Sequence, residues 1–175
     1  MQSLRPSDDS ALILEVPLPP GLERLRRQHV PDALADGLPA HATLLYPFAE
    51  PQAIDGAVRA VIAGVVAAHQ AWTLTLAGFG RWPDALYATV EPDAPVRALQ
   101  AELAAAFPSL PLYGEPGLRF EPHVTVVEGP GVDDPATEAD AAWGELPVAH
   151  RVHEVLLIVR EAGRWRARSR LPLRA

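Results

Sequence analysis

Apolar residues recur along the chain at two spacings. Between residues 51 and 70, Ile54, Val58, Val61, Ile62, Val65 and Val66 repeat at the three-to-four spacing of a helix. The same period returns over residues 94–107, where Val96, Leu99, Leu103, Ala106 and Phe107 share one side. Elsewhere the period is two, or the apolar run is short and continuous. Residues 10–16 form such a run, bounded by Pro17, Pro19 and Pro20, and predict a strand. Residues 72–79 alternate as a strand, 80–84 make a turn, and 85–91 return. Residues 41–48 predict a strand between Pro39 and Pro47, and a second begins at His123, with Pro122 leading it. Residues 152–160 and 164–171 predict a hairpin around Glu161, Ala162 and Gly163. A short helix is expected over 21–30, a loop over 31–39, and another loop over 108–117. A turn over 129–135 and a short helix over 136–143 complete the reading. Helices alternate with strands and hairpins, which predicts an α+β chain with mixed or antiparallel sheets.

Length and composition narrow the function. The chain of 175 residues suits one domain, residues 1–175, and its 49% apolar content supplies a sizeable core. No apolar run reaches the length of a membrane span, and the first ten residues lack a signal-peptide core, so a cytoplasmic location is expected; the chain is also expected to be a monomer. There is no cysteine, which removes disulfides, thiolate metal sites and a cysteine nucleophile. The net charge of −7 argues against wrapping long nucleic acid, which is driven by phosphate neutralisation. A small phosphorylated ligand remains compatible. All basic residues are arginine, a bias that genome composition explains as well as phosphate recognition does.

The chemistry lies in a repeated pattern. On a strand, His41 and Thr43 point to one face, and Ala42 and Leu44 to the other. His123 and Thr125 repeat this, with Val124 and Val126 opposite, roughly half the chain away. Two H-x-T strands predict a duplicated architecture with one shared site. Two histidines facing one cavity divide acid and base work at neutral pH, and two hydroxyls supply donors to a phosphoryl group. Cleavage of a phosphodiester without a metal is the reaction that most needs this pair.

The stretches HATLLYPF (41–48) and PHVTVV (122–127) resemble the two motifs of the two-histidine (2H) phosphoesterase superfamily, which includes 2′-5′ RNA ligase-like proteins and cyclic phosphodiesterases. The resemblance implies a bilobed, pseudo-two-fold fold with flanking helices and a central cleft. It also implies metal-independent cleavage, or reverse ligation, of 2′,3′-cyclic or 2′-5′ phosphodiester links in RNA ends or small nucleotides. His41, Thr43, His123 and Thr125 take the catalytic positions, with no cofactor. Relatives commonly carry a basic residue shortly after the second motif, where this chain has Glu128.

Tyr46, Arg81, Tyr87 and Phe120 are further candidates, since aromatics stack bases and arginine pairs with phosphate. Strict alternation puts Tyr46 opposite His41, so it reaches a ligand only if the strand bends. Core packing competes as a role for Tyr87 and Phe120. His150 and His153, three apart on one predicted strand, face opposite sides and belong to the surface or rim. His29 and His69 fall at helix ends. Arg164, Arg166, Arg168 and Arg170 are expected to share one solvated face of the last strand, opposite Trp165, Ala167, Ser169 and Leu171. Two rivals stand beside the enzyme: a binding module that keeps the fold without turnover, and a structural domain whose two histidines lie far apart.

Overall fold

The computed structural model describes residues 4–114, 119–129, 132 and 142–175. Ten strands and four helices make up the described α+β architecture: β1 (Pro6–Ser7), β2 (Ser10–Glu15), α1 (Pro20–His29), α2 (Pro31–Ala35), β3 (His41–Leu45), β4 (Phe48–Ala49), α3 (Gly56–Ala68), β5 (Trp72–Trp82), β6 (Ala85–Glu91), α4 (Ala94–Ala106), β7 (His123–Glu128), β8 (Val148–Val152), β9 (Glu154–Glu161) and β10 (Arg164–Pro172). One antiparallel sheet has the order β10-β9-β2-β3 and the other β7-β6-β5-β8, while β1 pairs with β4. Each sheet therefore places its histidine strand at an edge. The helices cross over between the halves. Helix α1 precedes β3 in the chain but contacts β7, and α4 precedes β7 but contacts β3.

Alternation sets the two faces. In β3, Ala42 and Leu44 are buried in the main core; in β7, Val124 and Val126 are. They share that core with Ile62 and Val66 of α3, Leu99 and Leu103 of α4, and a Phe48–Phe107 edge-to-face pair at 5.2 Å. The opposite face of the first sheet carries a smaller apolar patch of Ala11, Ile13, Leu156 and Ile158, partly covered by Leu38, Tyr46 and Trp165.

Several boundaries differ from the periodicity. The helix expected over 51–70 begins at Gly56, because Pro51–Ala53 form a 3₁₀ turn and the Asp55 carboxylate caps the helix by accepting from Val58 N–H at 2.9 Å. The loop expected over 31–39 opens with α2, with Pro31 at its start and Gly37 at φ 81° just beyond it. The strand expected over 41–48 stops at Leu45, and Phe48 starts β4 after a cis Tyr46–Pro47 peptide. Strand β5 runs on to Trp82. The strand expected over 152–160 is β9 from Glu154 onward, pairing with β2, while Val152 ends β8, a further strand that pairs with β5 in the other sheet. The helix expected over 136–143 lies almost wholly outside the described residues, and Trp143–Glu145 form a 3₁₀ turn. The Glu145 carboxylate accepts from Gly21 N–H at 2.8 and 3.0 Å and so satisfies the start of α1. A Cβ on residue 21 would stand 2.7 Å from that carboxylate.

The four arginines of β10 do not share a face. The register passes from Ala167↔Ile158 to Ser169↔Leu157, so Arg168 sits in a bulge and parity reverses beyond it. Trp165 thus joins the smaller patch while Leu171 enters the main core.

Candidate functional site

The two edge strands β3 and β7 lie side by side and open a cleft of about 980 Å³ between the sheets. His41, Thr43, His123 and Thr125 all line it. Both histidines are fixed in the same way. The Nδ1 of His41 is 2.8 Å from the Pro39 carbonyl, and that of His123 is 2.7 Å from the Glu121 carbonyl, in each case two residues upstream. A carbonyl only accepts, so each Nδ1 carries the proton and donates it. This leaves Nε2 of each ring for chemistry.

The electrostatic settings differ. Burial pushes the His41 imidazolium down to about 4, with Arg26 and His123 adding in the same direction. His123 is also lowered by burial, but the Glu121 and Glu128 carboxylates oppose the shift. His41 is therefore the more firmly neutral ring, and His123 the more readily protonated one.

Thr43 is hydrogen-bonded to the phenol of Tyr113, whose pKa is raised by burial and by Glu128. Tyr113 N–H in turn donates to the Tyr46 carbonyl at 2.5 Å. Tyr46 does reach the cleft, because the backbone leaves strand geometry after Leu45. Tyr87 also lines it. Its ring lies over Gly80, where a Cβ would come within 2.2 Å of it. Tyr87 packs at 4.3 Å from Trp82 and 5.3 Å from His123, and Trp82 stands edge-on to His123 at 4.6 Å.

The other two candidates stand elsewhere. Arg81 pairs across the hairpin with the buried Leu86 and so projects on the core side of the sheet, exposed and outside the cleft lining. Phe120 packs against the main core, and its carbonyl accepts from Arg97. His150 is half-buried and His153 exposed, both away from the cleft. His69 ends α3 and lies 3.2 Å from Glu102. Three arginines of β10 are tied at the surface: Arg164 to the Ala35 carbonyl, Arg168 to that of Pro51, and Arg170 to Glu154. The cations lining the cleft are Arg26, Arg119 and Arg160, beside the carboxylates of Asp8, Asp84, Glu121 and Glu128.

Trp82, Tyr113, Trp165 and Arg26 are cleft residues that the periodicity did not single out. Alternation from Leu74 and Leu76 would put Trp82 on the core face; the irregularity between Leu76 and Gly78 reverses the parity and turns it to the cleft. Tyr113 arrives from a loop with φ 51°, for which the sequence carries no periodic signal. Among the described residues no group of three or more His, Asp or Glu is arranged to hold a metal ion. None of the described helices is long and apolar enough to cross a membrane.

The model of the 2′-5′ RNA ligase superfamily matches residues 14–164. No curated protein sequence matches the chain. Similar solved structures include TT0787 of Thermus thermophilus, with TM-score 0.60 and 18% identity over 95% of this chain and 98% of that one. E. coli LigT complexed with 3′-AMP matches with TM-score 0.56 and 18% identity, over 97% and 99%. Kluyveromyces marxianus Usb1 matches with TM-score 0.54 and 12% identity, over 95% and 99%. At these identities the likeness establishes the fold.

Proposed function

The chain belongs to the 2′-5′ RNA ligase superfamily, the two-histidine phosphoesterases, and from that premise we propose that it cleaves 2′,3′-cyclic or 2′-5′ phosphodiester links of small nucleotides or RNA ends. The observation that carries the reading is the matched pair of rings in one cleft, each with Nδ1 tied to the carbonyl two residues upstream. His41 is the general base. Its Nε2 takes a proton from water as the water oxygen bonds to phosphorus. His123 is the general acid, giving its Nε2 proton to the ribose oxygen as the old P–O bond breaks. Glu121 and Glu128 favour the charged ring that this role requires. Thr125 donates to the phosphoryl oxygens, and Thr43 does so together with Tyr113. The nucleoside lies against the aromatic walls, Trp82 and Tyr87 on one side or Tyr46 and Trp165 on the other. That LigT is seen with 3′-AMP supports a nucleotide ligand here. Four carboxylates in the lining and a net charge of −7 favour a small substrate over a long polyanion.

The test is turnover by EDTA-treated protein of 2′,3′-cyclic nucleotides, 2′-5′-linked dinucleotides and ADP-ribose cyclic phosphate. Release of a monophosphate is expected. Binding of these compounds without turnover would make the protein a binding module. Activity that chelation abolishes and zinc or manganese restores would overturn the metal-free mechanism.

A further inference from the structure

Arg26 is a buried cation without a full set of partners. The residue is 4% exposed and lies on the last turn of α1, beside the lip of the cleft formed by Val30, Leu38 and His41. Its Nη2 donates to the Leu38 carbonyl at 2.9 Å. Its Nη1 is buried and makes no hydrogen bond. The Glu23 carboxylate is 3.7 Å from Nη1, beyond hydrogen-bond reach, and is shared with Arg27 at 3.5 Å. Two guanidinium groups thus divide one carboxylate, and the cluster keeps a net positive charge at the cleft wall. Burying a cation with incomplete hydrogen bonding is costly, and an anionic ligand at the cleft wall would offset part of that cost.

The rest of the cleft has a matching deficit. Glu128 ends β7 and lines the cleft. Arg160 is committed to Asp36 at 2.6 Å. A substrate phosphoryl group between the two histidines meets Glu121 and Glu128 toward β7, with the exposed Arg119 beside them, and one buried cation, Arg26, toward α1.

We propose that Arg26 is a phosphate-binding cation of this site, presented to the cleft wall from helix α1. The inference rests on the phosphoester reading of the cleft. The phosphoryl oxygens enter beside His41 and supply the counter-charge that Glu23 only half provides. Because Nη2 is held on Leu38, one residue before the Pro39 carbonyl that orients His41, the cation and the base keep a fixed relation.

Calorimetric titration of the whole chain with adenosine 2′-monophosphate, and separately with adenosine, tests the assignment. Wild type should prefer the phosphate-bearing ligand. Arg26→Met should bind it about 10–100-fold more weakly, the usual worth of a charge-assisted hydrogen bond, and bind adenosine as before. Its melting temperature should hold or rise, since an apolar side chain of similar volume replaces an incompletely paired charge. Arg26→Lys should fall between the two. Glu23→Gln, which removes the competing carboxylate, should tighten the monophosphate several-fold and keeps the test alive if Arg26→Met fails to fold. Equal monophosphate affinity in Arg26→Met, parallel loss of both ligands with a lower melting temperature, or no tightening in Glu23→Gln would each show that Arg26 is structural. If wild type does not distinguish the monophosphate from adenosine, the phosphoester reading itself falls, and this assignment with it.

Discussion

Arg97 holds Glu121 in place from the neighbouring helix. Its Nη2 donates to the Glu121 carboxylate at 2.9 Å and its Nη1 to the Phe120 carbonyl, while Nε is anchored on Asp93 at 2.6 Å. The Glu121 carbonyl is the group that receives Nδ1–H of His123. Helix α4 thereby sets the orientation of the proposed general acid through one side chain.

Arg97 should behave as a positioning residue. Its ion pairs are largely solvent-exposed and contribute little to stability by themselves. Arg97→Met should therefore leave the melting temperature nearly unchanged. It should lower kcat by about 10- to 100-fold, because small misplacements of a reacting group are costly, with KM little altered. A kinetic split of the opposite kind, with KM raised and kcat intact, would place Arg97 in binding instead.

The two histidines should separate by the leaving group they require. General acid–base catalysis is worth on the order of 10²–10⁴-fold, so His41→Ala and His123→Ala should each lower kcat on that scale. The double variant should lose less than the product, because the rings act on one proton cycle. With a nitrophenyl-type leaving group that needs no proton, His123→Ala should recover most of its activity and His41→Ala should not. Recovery in His41→Ala alone would reverse the acid and base roles. Thr43→Val and Thr125→Val should cost less than either histidine change.

Desolvation of the half-buried His41 also predicts an acid limb of stability. Its folded pKa is about 4 against an ordinary value of 6.5, so the unfolded chain binds the extra proton first as pH falls. Above pH 6.5 the group adds nothing to the pH dependence. Between 6.5 and about 4 the fold loses stability, by on the order of 3 kcal/mol from this ring. Urea midpoints across that range should fall in wild type and fall less in His41→Gln. Identical slopes would mean that His41 titrates normally in the folded protein.

The site was legible where two periodicities coincided. His41, Thr43, His123 and Thr125 stand on edge strands whose alternate positions are all core, so one face was forced inward and the other toward the cleft. What stayed hidden depended on departures from alternation. The kink after Leu45 brings Tyr46 in, and the bulge at Arg168 sends β10 arginines to both faces. The break at His153 moves β8 into the second sheet, which no pattern within the apolar run 152–160 could show. Arg26 has no signal of its own in the sequence, since its burial comes from the packing of α1 on the cleft wall. Arg81 is the reverse case: in the hairpin between the motifs, beside Trp82, it is on the wrong face of its strand.

Gly80 gives the most local test of the aromatic wall. It faces Tyr87 across the β5–β6 pair, and the ring fills the space that a side chain there would need. A Cβ at residue 80 would lie 2.2–2.4 Å from three atoms at the far end of that ring. The ring is half-exposed and turns about two torsions, so it moves aside and the strand stays paired. Gly80→Ala should therefore displace Tyr87 from its 4.3 Å contact with Trp82 and from His123 without unfolding the sheet. Stacking of a base on an aromatic ring is worth about 1–3 kcal/mol, which corresponds to roughly 5- to 150-fold in affinity if the contact is lost entirely. KM for a 2′,3′-cyclic nucleotide should rise within that range, and the melting temperature should shift by only a few degrees. Activity toward a substrate that carries no base, such as a simple cyclic phosphodiester, should change much less. A uniform loss on both substrates would mean that Trp82 and Tyr87 hold the His123 ring rather than the nucleoside.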